Sequence, residues 1–163
     1  MAAAGDGEEA SMKMKKMTLR ASDGEKVTVE MAAAMKSEVL RSMIEEGIVS
    51  QAEIPIPNVT SSILSMIFLY CEKHLHHEDP NEEHRDLAVF DAEFLNVDES
   101  VLYHLLLGAN YLEVKGLLEL ILEKLASMIR GKSVEEIREI FKIENDYTPE
   151  EEAEFRKEHQ WAF

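Results

Sequence analysis

Histidines and acidic side chains cluster in the middle of the chain, where imidazole and carboxylate groups could together hold a metal ion. The candidates are His74, His76, His77, His84, Glu78 and Asp79. Their spacing is irregular, whereas known metal motifs place their ligands at characteristic spacings. Residues 74–83 are charged, contain a proline and show no apolar periodicity. We therefore interpret this segment as a solvated polar loop and predict no metal site.

No other combination of residues predicts catalysis. Cys71, the only cysteine, falls on the apolar face of a predicted helix and is expected to be a small core residue rather than a nucleophile. A single cysteine also excludes an intramolecular disulfide and a zinc cluster of thiolates. The chain has no glycine-rich phosphate loop and no Gly-x-Ser-x-Gly or His-Glu-x-x-His motif. We predict no catalytic residue, no cofactor and no small-molecule substrate.

The net charge narrows the class of partner. The 163 residues carry a formal charge of -16. Such a chain repels phosphate backbones and anionic lipid, so we expect neither nucleic acid nor membrane as a partner. The apolar fraction of 45% is normal for a folded domain. The expected partners are therefore proteins.

The first half of the sequence predicts a hairpin followed by short helices. Residues 1–14 are expected to form a disordered acidic tail. Two alternating runs flank Asp23-Gly24, a strong hairpin signal. Ser37 is placed to cap a short helix, and Thr60 a longer one. Between them, the two prolines of residues 54–57 favour a short edge strand or an extended loop.

The second half predicts helices throughout. Asp98 is placed to cap a helix that ends near Asn110 and Tyr111. The next helix shows apolar residues at spacings of three and four, which predict one continuous stripe. Its members are Val114, Leu117, Leu118, Ile121, Leu122, Leu125, Met128 and Ile129.

Two capping boxes introduce the last two predicted helices, Ser133-Val134-Glu135-Glu136 and Thr148-Pro149-Glu150-Glu151. The final helix offers few apolar residues to a core, and the chain ends on Trp161 and Phe163. Either Trp161 folds back onto the chain's own core or it forms a docking surface. The polarity of the short last helix favours docking, because such helices are marginal in water without packing.

These segments resemble the SKP family, whose namesake is S-phase kinase-associated protein 1, the adaptor subunit of SCF (Skp, cullin, F-box) ubiquitin ligases, and plant members most of all. The resemblance covers residues 17–163. Its motifs are SDGE at 22–25, IPIPNV at 54–59, FDAEF at 90–94, ANYL at 109–112, the run from Gly131-Lys132 to Asn145-Asp146-Tyr147-Thr148, and Gln160-Trp161.

The resemblance implies an α+β fold: a BTB/POZ domain, with a small sheet and flanking helices, at 15–112, and a C-terminal two-helix extension at 113–163. It implies a non-enzymatic adaptor that links a cullin to interchangeable F-box substrate receptors for proteasomal degradation. The expected location is the nucleus and cytoplasm. Two alternatives stay open: a BTB-type homodimeric scaffold without ligase function, and a divergent paralogue with a narrowed set of F-box partners.

The resemblance also assigns residues to two binding surfaces. The implied cullin-binding residues are Ile54, Pro57, Asn58, Asn110 and Tyr111. The implied F-box-binding residues are Leu117, Ile137, Ile140, Phe141, Ile143, Asn145, Asp146, Tyr147, Phe155, Glu158 and Trp161. From pattern alone, Asn110 and Tyr111 would be a helix-end cap and a core tyrosine.

The departures from the family pattern include three single positions. Phe90 stands where relatives usually have Trp, Gly108 where they have Ala, and His159 where they have Asn. We expect Gly108 to loosen its helix by up to about 1 kcal/mol. We expect His159 to alter a polar contact beside Trp161, and so to affect partner choice more than fold.

Overall fold

The computed structural model describes residues 15–47, 53–75 and 84–162. The predicted acidic tail and most of the predicted polar loop lie outside these residues. The strands are β1 (Lys16–Arg20), β2 (Lys26–Glu30) and β3 (Ile54–Pro55). The helices are α1 (Met31–Ala34), α2 (Glu38–Glu45), α3 (Ser61–Leu75), α4 (His84–Phe94), α5 (Glu99–Tyr111), α6 (Lys115–Ile129), α7 (Val134–Phe141) and α8 (Pro149–Glu158), with a final 3-10 turn at Gln160–Ala162.

The sheet is small and has the order β2-β1-β3. The predicted hairpin is confirmed: β1 and β2 pair antiparallel, and Gly24 takes the positive φ of 83° that the turn requires. The strand β3 pairs parallel to β1, with Leu19 opposite Ile54. It is a two-residue edge strand, the position that a proline tolerates.

The core of the N-terminal half lies between this sheet and helices α1, α3 and α5. Apolar side chains from each element have almost no exposed surface, among them Leu19, Val29, Leu64, Ile67 and Leu105. Cys71 is fully buried here, and burial raises the pKa of its thiol to about 12. Cys71 is therefore a neutral core residue, as the sequence predicts.

Ser37 has a fully buried hydroxyl side chain that joins α2 to the turn after α5. The Ser37 hydroxyl donates to the carbonyl oxygen of Leu112 at 2.5 Å and accepts from the amide of Leu40 at 3.2 Å. The prediction that Ser37 caps α2 is thus confirmed. The same hydroxyl also ties α2 to the turn that follows Tyr111.

Two other predicted caps differ from the structure. At the start of α3, the carboxylate of Asp23 accepts hydrogen bonds from both the amide and the hydroxyl of Ser61. The hairpin turn therefore supplies this cap instead of Thr60, because the fold brings Asp23 to the helix end. Asp98 occupies the N-cap position of α5, but its side chain makes no capping hydrogen bond.

The chain packs as two compact units that divide within α6: the N-terminal half ends at Glu123, and the shorter C-terminal half begins at Lys124. The predicted stripe on α6 is only partly buried. Val114, Leu117 and Ile121 are buried, whereas Leu122 and Ile129 expose 49% and 43% of their surface. Helical periodicity identifies an apolar face, but it does not say what covers that face.

Both predicted capping boxes are confirmed. Ser133 and Glu136 exchange side-chain to backbone hydrogen bonds at the start of α7, and Thr148 and Glu151 do the same at α8. Neither helix contains a buried residue. Within the C-terminal half, these helices therefore rest on local contacts.

Candidate protein-binding surfaces

The predicted cullin-binding residues come from two segments that lie side by side. Pro57 and Asn58 are exposed in the turn after β3, and Asn110 is exposed at the end of α5. Val59 and Gly108 connect the segments: a Cβ atom on Gly108 would lie 3.4 Å from Cγ1 of Val59. The fold thus brings both segments to one region of the N-terminal half.

Tyr111 is not the core residue that its pattern suggests, because 38% of its surface is exposed. Ile54 is 7% exposed, so its side chain supports this region from within the core. Two residues that the sequence reading missed extend the region: Tyr103 and Leu107 expose 57% and 46%. Their spacing of four from each other and from Tyr111 places all three on one helical face, which is the signal that could have identified them.

The predicted F-box-binding residues of the C-terminal half are nearly all accessible. Trp161 is 85% exposed, Ile143 53%, Tyr147 46% and Phe155 41%. Asn145, Asp146 and Glu158 are exposed, and Ile137, Ile140 and Phe141 are half-buried. Leu117 is the exception, since it is fully buried in the N-terminal half and presents no surface to a partner.

Aromatic rings form a column at the end of the C-terminal half. Tyr147 and Phe155 stack with ring centres 5.9 Å apart, and Phe155 and His159 stack at 4.3 Å. The Trp161 ring follows at 6.5 Å from His159. His159 therefore lies between two predicted residues, Phe155 and Trp161, and Tyr147 stacks directly on Phe155.

Ion pairs hold α8 to α7. The Arg156 guanidinium donates to Glu135 of α7 and, at 3.1 Å, to Glu152 of its own helix. Arg138 lies 3.6 Å from Glu152, whose carboxylate also accepts from Asn145 at 3.3 Å. Hydrogen bonds from Arg156 and Asn145 lower the pKa of Glu152 below its usual range. The loop that carries Asn145 is thereby fixed to both helices.

A cleft of about 420 Å³ opens beside the C-terminal end of α7. The predicted residues Ile143 and Asn145 line it, together with Arg138 and Lys142. One apolar side chain with charged groups around it suits a protein segment better than an apolar ligand.

The prediction of a polar loop is wrong for its first two residues, because His74 and Leu75 belong to α3; residues 76–83 lie outside the described part of the chain. His74 belongs to α3, where its ring Nε2 lies 2.8 Å from Asp91 of α4 and its ring centre 3.9 Å from that of Tyr70. It thus joins two helices. The side chains of His76, His77 and His84 lie outside the described part of the chain. Within that part, no group of three or more acidic, histidine or cysteine side chains is arranged to hold a metal ion.

None of the helices in the described residues is long and apolar enough to cross a membrane.

Comparison with known proteins accounts for both halves. A family model described as the Skp1 family tetramerisation domain matches residues 15–76, and one described as the Skp1 family dimerisation domain matches residues 115–162. The chain is 45% identical to SKP1-like protein 1 of Oryza sativa subsp. japonica, over 91% of this chain and 95% of that protein. It is 44% identical to SKP1-like protein 1A of Arabidopsis thaliana (93% and 99%) and 48% identical to SKP1-like protein 13 of the same plant (91% and 98%).

These matches agree with the α+β architecture, in which a POZ domain precedes a helical C-terminal region. The two family models together span most of the chain, and the relatives cover nearly all of it. The chain belongs to the Skp1 family.

Proposed function

We propose that this chain is the adaptor subunit of an SCF ubiquitin ligase, which links a cullin to interchangeable F-box substrate receptors. Membership of the Skp1 family supports an adaptor role in general. The observation that supports the finer assignment best is the 85% exposure of Trp161. Contact of this large apolar side chain with water is unfavourable, and a partner that covers the side chain removes that contact.

The C-terminal half is the proposed F-box-binding surface. Its exposed aromatic side chains are of the type that dominates protein interfaces, and they are held in place by ring stacking. The ion pairs of Arg156 and the two capping boxes order α7 and α8 before a partner arrives. This preorganisation lowers the entropy that binding must overcome.

The region around Asn110 and Tyr111 is the proposed cullin-binding surface. It combines an exposed tyrosine with the exposed turn at Pro57 and Asn58. The Ser37 hydroxyl holds the turn after Tyr111 through the Leu112 carbonyl. The two proposed surfaces thus use different elements of the chain, as a bridging subunit requires.

Substitution of Trp161 tests the F-box assignment. Trp161→Ala should weaken binding of an F-box domain by about 2 kcal/mol, roughly 30-fold in Kd, because it removes a central anchor. Cullin binding should not change. Isothermal titration calorimetry with a purified F-box domain measures the first, and a cullin N-terminal domain the second. Val89→Ala, at a 52% exposed position outside both surfaces, is the matched control. Unchanged F-box affinity in Trp161→Ala would show that the assignment is wrong.

The double substitution Asn110→Ala with Tyr111→Ala tests the cullin assignment. It should release the cullin and spare F-box binding, since the F-box residues lie in other elements. Co-purification with both partners gives the result directly. Loss of both partners would instead indicate misfolding, and circular dichroism of the variant would then show reduced helix content.

The alternative is a homodimeric scaffold, in which a second copy covers the exposed aromatic side chains. The name of one matching family model, a dimerisation domain, favours this reading. Light scattering of the purified chain separates the two functions: a tight dimer that ignores F-box domains supports the scaffold. A narrowed set of F-box partners, the second alternative, would appear as binding to few members of a panel of F-box proteins.

We also propose that the adaptor acts in the nucleus and cytoplasm. Its single buried cysteine suits a reducing compartment. Cell fractionation tests this location.

A further inference from the structure

His159 occupies a particular place on the proposed F-box surface. Its ring lies between those of Phe155 and Trp161, with centres 4.3 Å and 6.5 Å away. It is the only one of these four rings with a nitrogen that can accept a hydrogen bond, since the other members are Tyr147, Phe155 and Trp161. An acceptor nitrogen on this surface is a means of selecting partners, because a partner that leaves it without a hydrogen bond loses affinity.

The contact that His159 makes with its own helix determines which ring nitrogen can accept a hydrogen bond from a partner. Its Nδ1 lies 3.1 Å from the carbonyl oxygen of Phe155. A carbonyl oxygen only accepts, so Nδ1 must carry the hydrogen. In the neutral ring Nε2 is then an acceptor. Among the described residues, no side chain or backbone group forms a hydrogen bond with this Nε2.

Charges around His159 indicate the kind of donor that would approach it. Glutamates outnumber basic residues on α8: Glu150, Glu151, Glu154 and Glu158 are exposed, whereas the basic residues of its last turn are Lys157 and Arg156, and Arg156 is paired with Glu135 and Glu152. A positive side chain of a partner at this helix end is favoured by the carboxylate of Glu158, which precedes His159, and by the negative end of the helix dipole.

We propose that His159 is a specificity-determining residue that accepts, through Nε2, a hydrogen bond from a lysine or arginine of the F-box partner. An apolar side chain of the same partner lies against Trp161 and Phe155. The proposal rests on the proposed function and deepens it. An asparagine at this position could reproduce the bond to the Phe155 carbonyl, but its shorter side chain would not reach the position of Nε2.

Three substitutions separate the roles of the two ring nitrogens. His159→Asn mimics Nδ1 and keeps the bond to Phe155, whereas His159→Gln places a polar atom near Nε2. His159→Phe keeps the stacked ring and removes both nitrogens. The probe is an F-box domain that binds the wild-type chain and carries a basic residue in the segment that contacts α8.

The expected result is a loss of affinity in two variants and its recovery in the third. His159→Asn and His159→Phe should raise the Kd about tenfold, the value of one hydrogen bond to a charged donor, and His159→Gln should stay within about threefold. His104→Asn is the matched control, because His104 Nδ1 makes the same kind of contact, to the Ser100 carbonyl at 2.6 Å, in the N-terminal half. It should leave F-box affinity unchanged.

NMR spectroscopy distinguishes a role of His159 in partner selection from a role in capping α8. In the free chain, imidazole ¹⁵N shifts should report the Nδ1–H tautomer at His159. Addition of the F-box domain should move the Nε2 resonance toward a hydrogen-bonded acceptor and leave Nδ1 in place. Affinity retained in His159→Asn, or an unmoved Nε2 resonance, overturns the inference while the adaptor function stands. If the wild-type chain binds no F-box domain, the proposed function fails and this inference fails with it.

Discussion

The two halves of the chain use their apolar residues in opposite ways. In the N-terminal half, the sheet and the helices α1, α3 and α5 enclose side chains that have almost no exposed surface. In the C-terminal half, α7 and α8 contain no buried residue, and Trp161 is 85% exposed. The first half is thus organised around its own core. The second leaves much of its apolar surface exposed.

Local interactions replace a core in the C-terminal half. Each capping box satisfies backbone groups at a helix start and stabilises by about 1 kcal/mol. The exposed ion pairs of Arg156 add little each, but they join α7 to α8. These contributions are small beside the burial of core side chains, which is worth about 1.5–3 kcal/mol for each one. A partner therefore has more to add to the C-terminal half.

Truncation of matched leucine and isoleucine side chains should show this difference most strongly. Leu105→Ala removes a fully buried side chain and should lower the free energy of unfolding by about 2–5 kcal/mol. Ile140→Ala, at a half-buried position of α7, should cost less than about 1.5 kcal/mol. Urea unfolding followed by circular dichroism measures both. Similar costs at the two positions would contradict the distinction between the halves.

The close approach of α5 to α3 gives a smaller effect. A Cβ atom on Gly108 would lie 2.8 Å from Cδ1 of Ile67 and 3.2 Å from Cγ2 of Ile63. Gly108→Ala should therefore cost about 1–2 kcal/mol, because overpacking outweighs the gain in helix propensity. The resemblance suggested only a loosened helix at this position. The structure adds a steric reason for the glycine.

Ile67→Val removes the Cδ1 atom and tests whether contact with that atom explains the cost of Gly108→Ala. In the Ile67→Val background, Gly108→Ala should become close to neutral, so the two substitutions should couple in a double-mutant cycle. Thermal unfolding of the four proteins gives the coupling free energy. If Gly108→Ala costs the same in both backgrounds, contact with Ile67 does not explain the glycine.

The sequence predicted those features that depend on local chemistry. The Asp23-Gly24 turn, the Ser37 cap and both capping boxes are each determined by neighbouring residues, and the structure confirms them. The fold class followed from the resemblance and is also confirmed. Whether the proposed cullin and F-box residues bind these partners stays a prediction.

Features that depend on long-range packing could not be read from the chain. Periodicity along α6 did not distinguish buried Leu117 from exposed Leu122. The cap of α3 comes from Asp23, which lies 38 positions before Ser61. Likewise, the i,i+4 spacing of Glu152 and Arg156 was visible, but the contact of Arg156 with Glu135 of another helix was not.

The smallest expected effect is a difference in pH response between the halves. In the C-terminal half, the backbone amide of Glu135 and the Arg156 guanidinium lower the pKa of the Glu135 carboxyl, and Arg156 lowers that of Glu152. A carboxyl group with a lowered pKa stabilises the fold above its ordinary pKa near 4.5, and this contribution disappears as pH falls through the lowered value. In the N-terminal half, burial raises the pKa of Tyr70 and of Cys71. The contribution of these two neutral groups to the free energy of unfolding is complete below their ordinary pKa values. It decreases as pH rises, toward about 12 for the thiol.

Acid should therefore loosen α7 and α8 first, and alkali should loosen α3 first. Hydrogen exchange resolved by peptide, with rates corrected for the intrinsic pH dependence, measures the acid response and the alkaline response in one protein. Arg156→Gln should reduce the acid sensitivity of the C-terminal half, since Glu135 and Glu152 then lose their common partner. The remainder comes from hydrogen bonds that do not involve Arg156, such as that from the Ser133 amide, which lowers the pKa of Glu136. Cys71→Ala should reduce the alkaline sensitivity of α3 but leave α7 and α8 unchanged. Acid exchange that begins in α3 instead would mean that the ion pairs of Arg156 do not hold the C-terminal helices together.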